Sequence, residues 1–105
     1  MIVNWSDRAR EELFNVASFI KDSFGRKYMN QFMRDVVRVN SLLADNPWIG
    51  KEEDSPPLRR GGYRGFVVRK KNKIIYRVVD GCIEVAAFWD TRREPAALKE
   101  ELNLE

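Results

Sequence analysis

The sequence predicts an α+β domain: an N-terminal strand, an αα-hairpin, and a twisted antiparallel sheet of about four strands for the helices to cover. Three observations predict it. Between Tyr63 and Pro95 the chain runs YRGFVVRK, KIIYRVVD and CIEVAAFWDTRREP, three segments rich in β-branched and aromatic residues. Asp80-Gly81 separates the last two, a two-residue hairpin signal, and the first two join around Asn72. Upstream, residues 6–45 carry apolar side chains at helical spacing, interrupted at Gly25.

Each element follows in order. Met1 to Trp5 reads as a short strand, and Ser6 then stands as a helix N-cap with Asp7 favourable in the first turn. Ala9, Leu13, Val16, Ala17, Ile20 and Phe24 form one apolar stripe, which Gly25 ends as a C′ glycine would. The second helix begins near Arg26 and places Met29, Phe32, Val36, Val39 and Leu43 in a seam of three-four spacing. Such a seam suits a dimerising coiled coil, but it spans only about two heptads and a sheet that needs covering follows. Pro47 disfavours helix at Asn46, and the short link at Gly25 forces the helices back on each other. Residues 48–62, with Pro56-Pro57 and the acidic run Glu52-Glu53-Asp54, read as a loop whose acidic run is solvated. Past the sheet, Pro95 opens a helical tail from Ala96 to Leu104 with Leu98 and Leu102 on one face.

Composition narrows the function. A chain of 105 residues, 44% hydrophobic and 33% charged, suits one soluble globular domain spanning residues 1–105. No apolar run approaches the ~20 residues that cross a bilayer, and MIVNW offers no secretory signal core. A cytoplasmic protein without a membrane partner is expected. Cys82 is the single cysteine, read as a small apolar filler, and there is no histidine. That argues against a structural zinc site, so no metal and no cofactor are expected. It also removes the usual general base near neutral pH, leaving Lys, Arg, Tyr and carboxylates for any chemistry.

Charge is segregated. Residues 59–93 carry ten basic and three acidic side chains, whereas residues 1–58 net −1 and residues 94–105 net −3. A basic sheet suits an anionic partner, either nucleic acid or an acidic protein. Alternation along the strands sets Ile74, Tyr76 and Val78 on one face, opposite Lys73, Ile75, Arg77 and Val79. It likewise sets Ile83, Val85, Ala87 and Trp89 together. The apolar faces should lie under the helices, leaving Arg64, Phe66, Lys73 and Arg77 on an open, concave, semi-apolar surface that suits a protein partner.

The element order, the Tyr63-Arg64 strand opening, Lys73-Ile74-Ile75-Tyr76-Arg77-Val78 and Phe88-Trp89-Asp90-Thr91-Arg92-Arg93-Glu94-Pro95 resemble the RelE/ParE toxin superfamily of type II toxin–antitoxin systems. Trp5-Ser6 followed by Ala9 and Leu13 adds to the resemblance, which spans nearly the whole chain. It implies a toxin neutralised by an acidic antitoxin, in a toxin–antitoxin hetero-oligomer. One branch inhibits DNA gyrase and lacks nuclease residues. The other cuts mRNA on the ribosome without a metal, using fixed cations for electrostatic stabilisation.

Carried over by position, the resemblance implies phosphate-handling roles for Arg64, Lys73, Arg92 and Arg93 if the chain is an endonuclease. The match is half complete. Phe66 stands where that branch carries a second basic residue. Lys73 replaces an arginine and loses its bidentate fork. No tyrosine follows Tyr76, and no histidine exists to finish the site. These gaps favour the gyrase-inhibiting reading, with the ribosome-dependent mRNA endonuclease as the alternative. The partner-binding candidates are Phe66, Arg77, Phe88 and Trp89. Simpler readings stand beside each: Phe88 and Trp89 as core, Arg77 paired across strands with Glu84, and Arg92 and Arg93 paired with Asp90 or Glu94.

Overall fold

A computed structural model of the chain describes residues 1–93 and 95–103. Its elements are β1 (Ile2–Trp5), α1 (Asp7–Phe24), α2 (Arg26–Asp45), β2 (Lys51–Glu52), α3 (Pro56–Arg60), β3 (Arg64–Arg69), β4 (Asn72–Val79), β5 (Cys82–Asp90) and α4 (Pro95–Glu101). Leu104 and Glu94, assigned above to the helical tail and to an ion pair, lie outside the described residues. No helix among the described residues is long and apolar enough to cross a membrane.

The α+β class holds, and the sheet corrects the expectation in two ways. It has five strands among the described residues, in the order β1-β5-β4-β3-β2, and it is mixed. β1 runs parallel to β5, with Val3 opposite Ile83 and Trp5 opposite Val85. The two-helix crossover returns the chain to the far side of the sheet, so β1 meets the last strand instead of the next one. The fifth strand, β2, comes from the segment read as loop: Lys51 and Glu52 pair with Gly65 and Arg64. The same segment also contains α3, whose first turn tolerates Pro56-Pro57 because the first N–H groups of a helix have no intrahelical partner.

The helices follow their capping signals. Ser6 Oγ accepts from Ala9 N–H at 3.1 Å. Gly25, at φ 101°, closes α1 through its N–H to Lys21 O and opens α2 directly, so no loop separates the helices. The seam of Phe32, Val36, Val39 and Leu43 is consumed within the chain against Ile74, Tyr76 and Ile83. The coiled-coil alternative is thereby spent. Phe24, at the hairpin tip, is 64% exposed and drops out of the α1 stripe.

Both hairpins form. Asp80 (φ 51°) and Gly81 (φ 77°) make the tight turn between β4 and β5. The β3–β4 turn falls on Lys70-Lys71, with Asn72 opening β4 opposite Arg69 and a register shift at Val68 beside it. A second irregularity decides the sheet's faces. Tyr76 pairs with Val85 while Ile75 pairs with Ala87, leaving Ala86 as an extra residue in β5. Ser6 donates from its hydroxyl to Ala86 O at 3.2 Å, fixing the bulge to the start of α1. Beyond it the alternation inverts. Phe88 therefore joins Ile83 and Val85 beneath the helices, and Ala87 and Trp89 turn to the other face.

That other face is not open. Leu58 of α3 and Leu98 of α4 cover Tyr63, Ile75, Ala87 and Trp89 in a second, smaller core. The expected concave surface is largely roofed, because a mostly apolar face cannot stay in water when two short helices can bury it.

Tyr76 ties the layers together. It is fully buried, and its hydroxyl donates to Pro47 O at 2.8 Å and accepts from Gly50 N–H at 2.9 Å. A Cβ at Gly50 would stand 2.6 Å from that oxygen, so only glycine fits. Tyr76→Phe is expected to lower unfolding stability by about 1–3 kcal/mol, because Gly50 N–H loses its buried acceptor. Thermal denaturation followed by circular dichroism checks this; an unchanged midpoint would mean that water replaces the hydroxyl at no cost.

Candidate functional site

The strands do not gather the predicted cations. Arg64 lies opposite Tyr76 and Phe66 opposite Ile74, so both take the helix side of β3. Lys73 and Arg77 take the other face of β4, where their strand neighbours are Trp89 and Glu84. The expected grouping of Arg64, Phe66, Lys73 and Arg77 on one surface is therefore corrected. Arg92 and Arg93 follow β5 in the turn before α4.

Each cation already has a carboxylate. Lys73 Nζ lies 3.1 Å from both oxygens of Glu53, with the two side chains 24% and 12% exposed. Glu53 belongs to the acidic run read as solvated. It reaches Lys73 because β2 runs along Gly65, where a Cβ would stand 2.5 Å from Glu53 Oε2. Arg64 turns its Nη1 to Gly50 O (2.8 Å) and Trp48 O (3.3 Å), its Nη2 to Glu52 (3.5 Å), and its guanidinium over the Trp48 indole at 5.3 Å. Arg77 meets Glu84 directly across the strands at 3.2 Å, as read from the sequence. Arg92 grips Asp90 with two bonds of 3.0 and 2.7 Å, and this pairing pulls the Asp90 carboxyl down to about 2. Arg93 reaches Glu101 of α4 at 2.6 Å and lies 4.4 Å over the Trp89 ring.

Lys73 and Arg93 do share a cleft. It is about 190 Å³, lined by both cations together with Glu53, Asp54, Thr91 and Trp89. Its charges oppose one another. Neither Tyr63 nor Tyr76 lines it; they are 6% and 0% exposed, and burial pushes the Tyr76 hydroxyl up. Among the described residues no cluster of His, Cys, Asp and Glu is placed to hold a metal. Of the partner-binding candidates, Phe88 and Trp89 are each 2% exposed and belong to the cores, whereas Phe66 and Arg77 are only half-buried. Two residues here were not singled out from the sequence: Glu53, which pairs with Lys73, and Trp48, which stands 62% exposed on a tightly bonded loop. A tryptophan next to Pro47, outside both helical stripes and the three strands, was the available signal for the second.

Solved toxins share this architecture. The chromosomal ParDE toxin–antitoxin system from P. aeruginosa is similar over 86% of this chain and 95% of its own, with a TM-score of 0.70 and 17% identity. YafQ from E. coli strain BL21(DE3) is similar over 91% and 94%, with a TM-score of 0.63 and 18% identity. The YoeB toxin of the heterotetrameric YoeB–YefM toxin–antitoxin complex from Staphylococcus aureus is similar over 85% and 94%, at 0.57 and 13%. Identities this low establish the fold alone, a RelE/ParE-like toxin fold. No curated protein sequence matches the chain. The profile of the family described as the ParE toxin of type II toxin–antitoxin systems, parDE, matches residues 3–95. The chain belongs to that family and is a type II toxin.

One carboxylate beside this region is strained by its surroundings. Glu12 of α1 accepts from Phe88 N–H at 3.2 Å, and burial raises its pKa above the ordinary value, reinforced by Glu101 and opposed by that hydrogen bond, Arg8 and Arg93. A raised carboxyl pKa means that the folded state binds the proton more tightly. Ionised Glu12 therefore costs stability above the raised pKa, and the cost disappears as the pH falls below 4.5. Glu12→Gln keeps the acceptor without the charge. It is expected to melt at or above the wild-type temperature at pH 7 and to lose that advantage at pH 4, read from melting curves at the two pH values.

Proposed function

We propose that this toxin arrests growth by binding and inhibiting DNA gyrase, and that an acidic antitoxin keeps it inactive. The observation that carries the reading is the pairing of Lys73 with Glu53 inside a cleft where two predicted phosphate-handling cations meet. Cleavage of RNA through a ribose hydroxyl needs cations free to meet developing negative charge and a group to move the proton. Here the cations are engaged with carboxylates, and Tyr63 and Tyr76 are buried. A protein-binding inhibitor needs neither.

One observation favours the alternative, a ribosome-dependent mRNA endonuclease: Lys73, Arg93 and Thr91 line the same cleft. Glu53 would have to leave before that cleft could accept phosphate.

The antitoxin has a suitable seat. A groove of about 450 Å³ runs between β1, α1 and α2, lined by Val3, Trp5, Leu13, Met33 and Val37 with Arg10 among them. β1 is the edge of the sheet, so its outer backbone groups are open to an added strand. An acidic, otherwise disordered segment that folds on binding suits both this apolar groove and the basic excess of residues 59–93. The S. aureus YoeB–YefM complex is a heterotetramer, and a hetero-oligomer is the form proposed for this toxin with its antitoxin.

The test is inhibition of supercoiling by purified gyrase, run beside mapping of mRNA 5′ ends in a translating extract. The wild-type toxin should block supercoiling and leave the 5′ ends unchanged. Lys73→Ala and Arg92→Ala should shift the half-inhibiting concentration by less than about fivefold, since a binding inhibitor does not use these cations to stabilise developing charge. New ribosome-dependent cuts, lost by about 10²–10³ in either variant, would establish the endonuclease instead.

A further inference from the structure

We propose that Trp48 is the residue this toxin inserts into its protein target, in an apolar pocket with a basic rim, and that Tyr76 and Arg64 position it. The inference rests on the reading of the toxin as a binding inhibitor and names the contact that reading requires.

Trp48 and its neighbour Ile49 are 62% and 46% exposed. Two large apolar side chains in water on a loop would ordinarily mark a mobile tip. Here the backbone beneath them is fixed from both sides. The Tyr76 hydroxyl joins Pro47 O and Gly50 N–H, and Ile49 N–H closes a turn onto Asn46 O at 3.1 Å. Arg64 takes up the carbonyls of Trp48 and Gly50 with one nitrogen and lies against the indole face. Tyr76 is fully buried and the Arg64 side chain is 21% exposed, so neither can follow a moving loop. An exposed indole whose support is already rigid surrenders little freedom on binding. That is the condition under which a single tryptophan dominates an interface.

Charge identifies the kind of pocket. Residues 45–54 hold Asp45, Glu52, Glu53 and Asp54 against Lys51; with Glu52 and Glu53 answered by Arg64 and Lys73, the flank keeps a net of −1 in a chain whose total is +3. A nucleobase stacked on Trp48 would bring its phosphates against this acidic flank. A protein pocket lipped with Lys or Arg meets it favourably. The cation against the indole, Arg64, is already committed to two carbonyls and to Glu52.

The experiment compares wild type with Trp48→Ala, Trp48→Phe and Tyr76→Phe in two assays, growth arrest on controlled expression and inhibition of supercoiling by reconstituted gyrase. Trp48→Ala should keep the wild-type circular dichroism and melting temperature, because its side chain lies in solvent. It should raise the half-inhibiting concentration about 30-fold and abolish growth arrest at equal protein level. Trp48→Phe should recover part of the activity. Tyr76→Phe, which loosens the loop, should show an intermediate loss. Growth arrest by Trp48→Ala equal to wild type overturns the inference. If wild type arrests growth without affecting gyrase, the gyrase reading fails, and the toxicity of Trp48→Ala still decides this one. If wild type cuts mRNA and Trp48→Ala does not, the protein pocket is overturned in favour of a stacked base.

Discussion

The two hydrogen bonds of the Tyr76 hydroxyl set the course of everything that follows α2. They hold Pro47 and Gly50 against the sheet, so the chain leaves Gly50 along the edge of β3, where Lys51 and Glu52 pair with Gly65 and Arg64. Glu53 then falls beside Lys73, and α3 is delivered to the far face to bury Leu58. A buried phenol with both capacities satisfied is rigid, because any displacement strands a donor or an acceptor away from water. Glycine at position 50 is the counterpart of that rigidity, since no side chain fits between its backbone and the ring.

Electrostatics follows from the same path. The basic excess of residues 59–93 looked like an active surface, yet four of its ten cations, Arg64, Arg69, Lys73 and Arg93, are met by carboxylates that the fold imports from elsewhere. Glu52 and Glu53 come from β2 and the residue beyond it, Asp35 from α2 to Arg69, and Glu101 from α4 to Arg93. Such pairs contribute little stability each, but they occupy the donors that a phosphate would need. The chain keeps a net charge of +3 while these four cations are paired.

What the sequence made legible was local. The Ser6 cap, the break at Gly25, the Asp80-Gly81 turn and the Arg77–Glu84 pair are each decided by residues close together in the chain, and the structure has all of them. The family resemblance rested on strands whose own residues carry it, and the family holds. The parallel pairing of β1 with β5, the Ala86 bulge and the Glu53–Lys73 bond depend on where distant segments come to lie. Perfect alternation along β5 put Phe88 on the wrong face because a single extra residue inverts every side chain after it. The site suffered most from this. Arg64, read as a phosphate contact, is turned into the structure by its register opposite Tyr76.

The segment from Asn46 to Asp54 consequently does two things at once. Its first half presents Trp48 and Ile49 to solvent, and its second half closes the cleft by placing Glu53 on Lys73. Arg64 lies between the halves, holding the carbonyls of Trp48 and Gly50 on one side and Glu52 on the other. A cleft open to phosphate would require the Glu53 carboxylate to leave Lys73. In this chain the loop that displays Trp48 is also the one that sets Glu53 on Lys73.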